Sequence, residues 1–328
     1  MWRKASVSGL LGVSLLLGVV GYSAAELSYP KDTVKLVSAF AAGGGNDFMA
    51  RQLAQKFQEL YKGTFIVEDR PGGNGDIATN YVASAKPDGN TLLVTTNATI
   101  VINPQMFSSA IRFDPIKDFA PVSLLARQPF MLVVSPKLKV KTMAEFVAYA
   151  KAHSDKLNYG SSGAGGGAHL AGEMLNARLG TKMQHIPYKG IAPALQDLIG
   201  GRIDLMFGAI QTVRPFVDSG QIVPIAVSSL ERNSAMPNIP AVAEFPGFEG
   251  FESDLWYGLL APAGTDPAIV ESLAKQTTAS FKDPAVRSHF EPYGTVLVGS
   301  APKQFADDIK NDLKKWKEVL SKAGLARN

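Results

Sequence analysis

The sequence predicts an α/β protein of two domains joined by two crossings. Three observations carry that prediction. The apolar run Val34 to Phe40 breaks at Gly43-Gly44-Gly45 and resumes at helical spacing through Phe48, Ala50, Leu53 and Phe57. That order is strand, glycine loop, helix. The same design returns later: Leu157-Asn158-Tyr159 opens onto Gly160 to Gly167, and helical spacing follows from His169 through Leu170, Met174, Leu175 and Leu179. Finally, 328 residues exceed one average domain and suit two, and 46% hydrophobic against 19% charged residues can fill two cores.

The first segment reads as a secretory leader. Arg3-Lys4 is a basic start, Leu10 to Val20 an apolar core too short for a span, and Ser23-Ala24-Ala25 a small-residue cleavage site. Cleavage is expected after Ala25, leaving the chain outside the cytoplasm, in the periplasm. Thr64 to Val67 is the next strand, Asp76 to Ala85 a helix, and Thr91 to Thr96 a third strand ending in Asn97-Ala98-Thr99. Alternation of strand and helix with short turns argues a parallel sheet covered on both faces. Two apolar runs, Val122 to Ala126 and Phe130 to Val134, flank Arg127-Gln128-Pro129, where the chain is expected to cross into the second domain.

In that domain Thr142 and Glu145 have the spacing of a capping box. Strands are expected at Met183 to Pro187, Ile203 to Phe207 and Val223 to Val227, with a helix from Ala192-Pro193 to Gly200. The Gly- and Phe-rich stretch Phe245 to Ser253 is expected to carry the return. Trp256 to Ala261 is then a strand of the first domain, Thr265-Asp266-Pro267 starts a helix, and Val296 to Val298 is a last short strand. The final helix, capped by Ser300, presents Phe305, Ile309, Leu313, Trp316 and Leu320 on one stripe. The expected division is a leader over 1–25, a first domain from 26–127 and 251–328, and a second from 128–250.

Composition removes several chemistries. With no cysteine there is no disulfide, Cys-ligated metal or Cys nucleophile. The net charge of +4 falls to +2 once Arg3 and Lys4 leave, and the cations are scattered, so nucleic acid is not an expected partner. Gly43-x-Gly45 resembles a dinucleotide fingerprint, with Glu68 and Asp69 at the ribose distance, but Phe48 occupies the third glycine position. No Gly-Lys-Ser/Thr follows either loop, which excludes a P-loop. His153, His169, His185 and His289 lack the spacing of a metal pair on one helix. Ser161 or Ser162 beside His169 lacks an identifiable acid, so His169 is expected to bond a loop carbonyl. Asp47 is expected to serve the helix N-terminus rather than catalysis. No cofactor and no metal are expected.

What remains favours binding. The first amides of a helix have no intrahelical partner and the dipole adds positive charge there. Two such ends behind glycine loops suit an anionic group. In an α/β sheet both loops fall at the carboxyl ends of strands, with Asn97 and Thr99 on one rim and Tyr188 to Ala192 on the other, so two domains can close on a small carboxylate.

Several runs, in order, resemble the Bug-type solute-binding proteins of tripartite tricarboxylate transporters. They include Phe40 to Asp47, Val67 to Gly72, Lys86 to Leu93, Lys117 to Val122, Leu157 to Ser161, His169 to Glu173, Pro187 to Gly190 and Ala261 to Thr265. The resemblance covers essentially the whole chain after the leader. It implies a two-domain periplasmic binding protein of Venus-flytrap type and a monomer without catalysis. It also implies a small organic carboxylate as ligand, passed to a permease of a large and a small subunit or used for sensing; the alternative is an exported α/β enzyme acting on a small carboxylate. The first-domain grip it implies is Phe40, Gly43, Gly44 and Asp47, with Asn97 and Thr99 behind. The second-domain grip is Ser161, Ser162, Gly163, Gly190 and Ala192. The chain departs from its relatives at Ala39, where they usually carry Pro, at Ile100-Val101, where they often carry His-Ala, and at Gly208, where they often carry an acid or another polar residue. Gly208, Ile100 and Val101 lead to the expectation of a less polar far end, suited to an aromatic or aliphatic monocarboxylate over citrate.

Overall fold

The computed structural model describes residues 29–40, 42–107, 111–161, 163–188, 191–322 and 324–326, with Met1 and Trp2. Beyond those first two residues, the leader expected over 1–25 lies outside the described residues. The chain begins β1 (Val34–Ser38), α1 (Gly45–Tyr61), β2 (Phe65–Asp69), α2 (Asp76–Ala83), β3 (Thr91–Thr96), α3 (Asn103–Met106). It continues β4 (Phe119–Val134), α4 (Met143–Ala152), β5 (Asn158–Ser161), α5 (Gly167–Leu179), β6 (Gln184–Pro187), α6 (Ile191–Gly200), β7 (Leu205–Ala209), α7 (Ile210–Asp218), β8 (Val223–Val227). It ends β9 (Asp254–Pro262), α8 (Pro267–Ser280), α9 (Pro284–Arg287), β10 (Val296–Leu297), α10 (Pro302–Lys322).

The β1 strand pairs in parallel with β2 on one side and β3 on the other. Likewise β5 lies parallel to β6 and β7. The two parallel groups are joined through β9 and β4, in the strand order β2-β1-β3-β9-β4-β7-β5-β6. The strand β4 belongs to both groups. Phe119 to Pro129 run antiparallel to β9, and Phe130 to Val134 run antiparallel to β7 and β8. The two apolar runs of the sequence are therefore one strand, not two. Arg127 and Gln128 interrupt the apolar pattern, but their backbones pair with Trp256 and Leu255, so the ladder carries through them; its two irregularities lie earlier, between Pro121 and Ser123 and between Leu124 and Ala126.

Apolar side chains from both groups share one cluster that includes Val37, Leu93, Leu132, Phe207, Trp256 and Phe305. A second cluster packs α1 and α8 on the first group through Leu53, Phe57 and Leu273. A third packs α6 and α7 on the second through Leu195, Leu198 and Val213. The helix α10 buries Phe305, Ile309, Trp316 and Leu320, each worth about 2 kcal/mol of apolar burial. Trp256 meets Phe305 edge to face at 5.3 Å and donates its indole N–H to Asp312 at 2.7 Å.

The capping box at Thr142 forms, with Glu145 N–H on Thr142 Oγ1 and Thr142 N–H on Glu145 Oε2, both at 3.2 Å. Ser300 does not cap α10; its hydroxyl accepts the Leu124 amide at 3.0 Å and thereby ties the helix entry to β4. The helix α7 was not expected, because Pro215 stands inside it, although Ile210, Val213, Phe216 and Val217 stand at helical spacing.

Candidate functional site

The β1 strand delivers the first glycine loop to its carboxyl end. Gly43 has φ +83°, which only glycine adopts without strain. A Cβ on Gly45 would lie 2.5 Å from the Tyr257 hydroxyl oxygen, so the first residue of α1 must also be glycine. Asp47, buried in the first turn, accepts the Gly43 amide at 2.8 Å and pairs with Arg51 at 2.7 Å. Burial opposes its charge, but the Gly43 amide and Arg51 outweigh burial and hold the carboxyl below its usual range. Asp47 thus buckles the loop onto its own helix instead of capping it. Arg51 also reaches Asp69 at 3.0 Å. The amides of Gly44, Gly45 and Asn46 find no backbone or side-chain acceptor among the described residues.

Those glycines open onto a cavity of about 590 Å³. Its first wall is Gly43, Gly44, Gly45 and Asp47, with Phe48 and Arg51 beside them. Its floor is Gln128 from β4 and Tyr257 from β9. Tyr257 donates to Gln128 Oε1 at 3.1 Å, and the Gln128 amide donates to Gln211 at the start of α7. Burial pushes the Tyr257 hydroxyl up to about 12, so it stays a donor. The outer wall is Ser288 to Phe290, Tyr293 and Thr295, from the segment after α9. The cavity therefore touches both parallel groups and the strands between them.

The second loop is built differently. Ser161 is fully buried; its hydroxyl lies 2.7 Å from His185 Nε2 and 2.9 Å from the Gly163 carbonyl, and it accepts the Gly163 amide at 3.2 Å. Gly163 has φ +152° and Gly165 φ +79°. His169 Nδ1 accepts the Gly165 amide at 3.0 Å, which fixes the neutral ring with its proton on Nε2, 3.8 Å from Glu173. The sequence reading gave His169 a loop carbonyl; it holds a loop amide instead. His169 and His185, distant in sequence, stack at 3.8 Å, with Tyr159 5.0 Å from His185 and bonded to Glu173. Burial takes both imidazoles down to about 4, and for His185 the neighbouring His169 adds to it.

The other expected positions fall as follows. Phe40 is half-buried against the shared core. Asn97 is buried and donates to the Asp254 carbonyl at 2.7 Å; Thr99 is buried and donates to the Asn74 carbonyl at 3.1 Å. Both brace the crossing and the neighbouring loop, and neither lines the cavity of the first loop. Nor do Ser161 and Gly163. Ala192 is exposed in the first turn of α6. Ser162 and Gly190 lie outside the described residues. Gly208 sits within β7, where a Cβ would meet Val213 at 2.3 Å, and Ile100 and Val101 are fully buried. These three form no apolar end to the cavity; that end is made by Phe48, Phe290 and Tyr293. The sequence reading missed Gln128, Gln211, Tyr257 and the 288–295 segment. A polar Gln128 between two apolar runs was the one available signal.

The family profile of the tripartite tricarboxylate transporter receptors matches residues 49–325. The chain is 33% identical to a UPF0065 protein of Agrobacterium vitis from the TAR-I ttuE-ttuC' intergenic region, over 98% of this chain and 94% of that one. It superposes on an R. palustris protein solved with adipate with TM-score 0.76 and 32% identity, covering 91% of this chain and 99% of that one. It superposes on the periplasmic binding protein BugD with TM-score 0.73 and 32% identity, covering 92% of this chain and 100% of that one. The double β-α fold, its two crossing strands and these matches agree: the chain belongs to the tripartite tricarboxylate transporter receptor family, of which Bug proteins are members.

Proposed function

We propose that this receptor captures a small organic carboxylate outside the cytoplasm and does no chemistry on it. The observation that supports the reading most is the first loop: unfilled amides of Gly44 and Gly45, at the positive end of α1, belong to residues lining a cavity shared by both halves of the fold. The adipate held by the R. palustris relative is a carboxylate of the class this end suits. Residues 26–127 with 251–328 form one lobe and 128–250 the other, hinged at Arg127 to Phe130 and Phe251 to Asp254. In the closed state Ser161, Ser162, Gly163, Gly190 and Ala192 approach Gly43, Gly44 and Asp47. A leader over 1–25 exports the chain to the periplasm. There it delivers its ligand to a permease of large and small subunits or to a sensor. Among the described residues no helix is long and apolar enough to cross a membrane.

The test is calorimetry on protein unfolded and refolded to strip any carried ligand. Stoichiometric binding of a monocarboxylate or dicarboxylate, lost on Gly44→Asp, is the expected outcome. Turnover of the acid, or no binding of any carboxylate, refutes the proposal.

A further inference from the structure

The outer wall of the cavity has a chemistry that the carboxylate reading does not use. Phe48 is 39% exposed and Tyr293 53% exposed, although both border a concave site. Phe48 leans on Phe290 at 5.2 Å and on His289 at 6.0 Å, so the rings form one continuous surface. Large apolar rings left uncovered inside a cavity mark a surface that a ligand covers. The polar groups of the same walls include few cations: beside the neutral Gln211, Tyr293 and Thr295 stand His289 and Arg51. Arg51, the cavity's single Lys or Arg among the described residues, is already divided between Asp47 and Asp69. The Ser288 hydroxyl is given to the Ala285 carbonyl, and Gln128 is taken by Tyr257 and Gln211. Asp47 adds a negative charge. A second or third carboxylate brought against this wall would lose its water with no Lys or Arg among the described residues free to replace it, only His289 and the neutral donors of Gln211, Tyr293 and Thr295.

We infer that the ligand is a monocarboxylate with an aromatic body: its carboxylate sits on the Gly44 and Gly45 amides and its ring lies against Phe48, Phe290 and Tyr293. Phe48 and Tyr293 are then the residues that set specificity. The inference rests on the carboxylate-capture reading and deepens it. The position of Phe48 fits both tasks. It stands one turn into α1, three residues after Gly45, so its ring flanks the amide-bearing end of the helix. The cavity's volume, about 590 Å³, lies in the range of small-molecule sites and leaves room for a ring beyond the carboxylate. Edge-to-face and offset contacts with three rings supply the discrimination that hydrogen bonds do not.

Calorimetry on refolded full-length mature chain tests it with three probes: 3-phenylpropionate, malate and citrate. Phe48→Ala and Tyr293→Ala serve as variants, since both side chains are substantially exposed and their loss leaves the core intact. The expected result is 3-phenylpropionate bound at least tenfold more tightly than malate or citrate. Each variant then loses about tenfold for 3-phenylpropionate, with an unchanged thermal midpoint. If malate or citrate binds as tightly, and the variants bind all three probes as the parent does, the aromatic assignment is overturned while carboxylate capture stands. If none of the three binds, the aromatic assignment is overturned, and if adipate and other small carboxylates also fail to bind, the capture reading fails with it.

Discussion

The stacked imidazoles behind the second loop should make this protein acid-sensitive in a way that one substitution can isolate. His169 titrates near 6.5 when unfolded and near 4 when folded, chiefly through burial. The unfolded chain therefore takes up the proton first, and stability is lost as pH falls from 6.5 toward 4. A displacement of that size corresponds to about 3 kcal/mol when complete, of which about 2 kcal/mol is lost between pH 7 and about pH 4.5. Glu173, 3.8 Å from Nε2, would favour the proton, but burial wins. His185 moves in the same direction and shares its protonation with His169. The raw curve of the parent protein will not show this cleanly. Asp254 is buried at the crossing and raised to about 7, so the folded state binds its proton first and gains stability over the same window. The comparison must therefore be with His169→Asn, whose side-chain oxygen still accepts the Gly165 amide but does not titrate. Urea unfolding of both proteins at pH 7 and about pH 4.5 is the assay. The variant is the less stable at pH 7 because it loses the stack on His185. Its deficit shrinks by about 2 kcal/mol at the lower pH. Parallel curves, with the deficit unchanged, would show that His169 is not held neutral and would refute the reasoning.

Three further outcomes follow from named contacts. A Cβ on Gly43 would meet nothing within 4 Å, so Gly43→Ala carries only the cost of φ +83°, about 1 kcal/mol in urea unfolding; a loss of several kcal/mol would mean the loop is packed. A Cβ on Gly45 would meet the Tyr257 oxygen at 2.5 Å but its ring carbon at 3.4 Å. Gly45→Ala should therefore weaken ligand binding, and adding Tyr257→Phe should recover part of it, whereas no recovery would remove Tyr257 from the floor. In Gly258→Ala the new methyl would lie 2.3 Å from Phe305 and 3.0 Å from Trp256; overpacking there should cost about 3 kcal/mol, read as a lowered thermal midpoint, and an unchanged midpoint would show that α10 docks loosely.

What was legible in the sequence, and what was not, divides along a physical line. Strands β1, β3 and β8 could be read because they are short continuous apolar runs, and the helices with clear stripes because their burial repeats at a period near four. The same holds for Gly43, where φ +83° demands glycine irrespective of what lies across the chain. The half of the site that escaped is the half made by tertiary contact. Tyr257 reads as one more apolar member of β9, and only its meeting with Gly45 and Gln128 gives its hydroxyl a place. His169 and His185 stand 16 positions apart in the chain, on a helix and on a strand, and nothing local announces that their rings stack. Phe48 was read as a fault in a dinucleotide fingerprint, because the pattern asks what the residue prevents. Its place in the fold asks what it faces, and it faces the cavity. Gly208, Ile100 and Val101 fail for the converse reason. They were read by their position after strands whose carboxyl ends line a cleft, but a residue just past such an end can also turn inward. Ile100 and Val101 do so in the π-helical turn Ala98–Ile102, which directs both side chains into the core. The polarity of a cavity therefore has to be judged from the elements that converge on it. Here those are α1, the two crossing strands, the start of α7 and the segment after α9, and the last of these has no periodic signature at all.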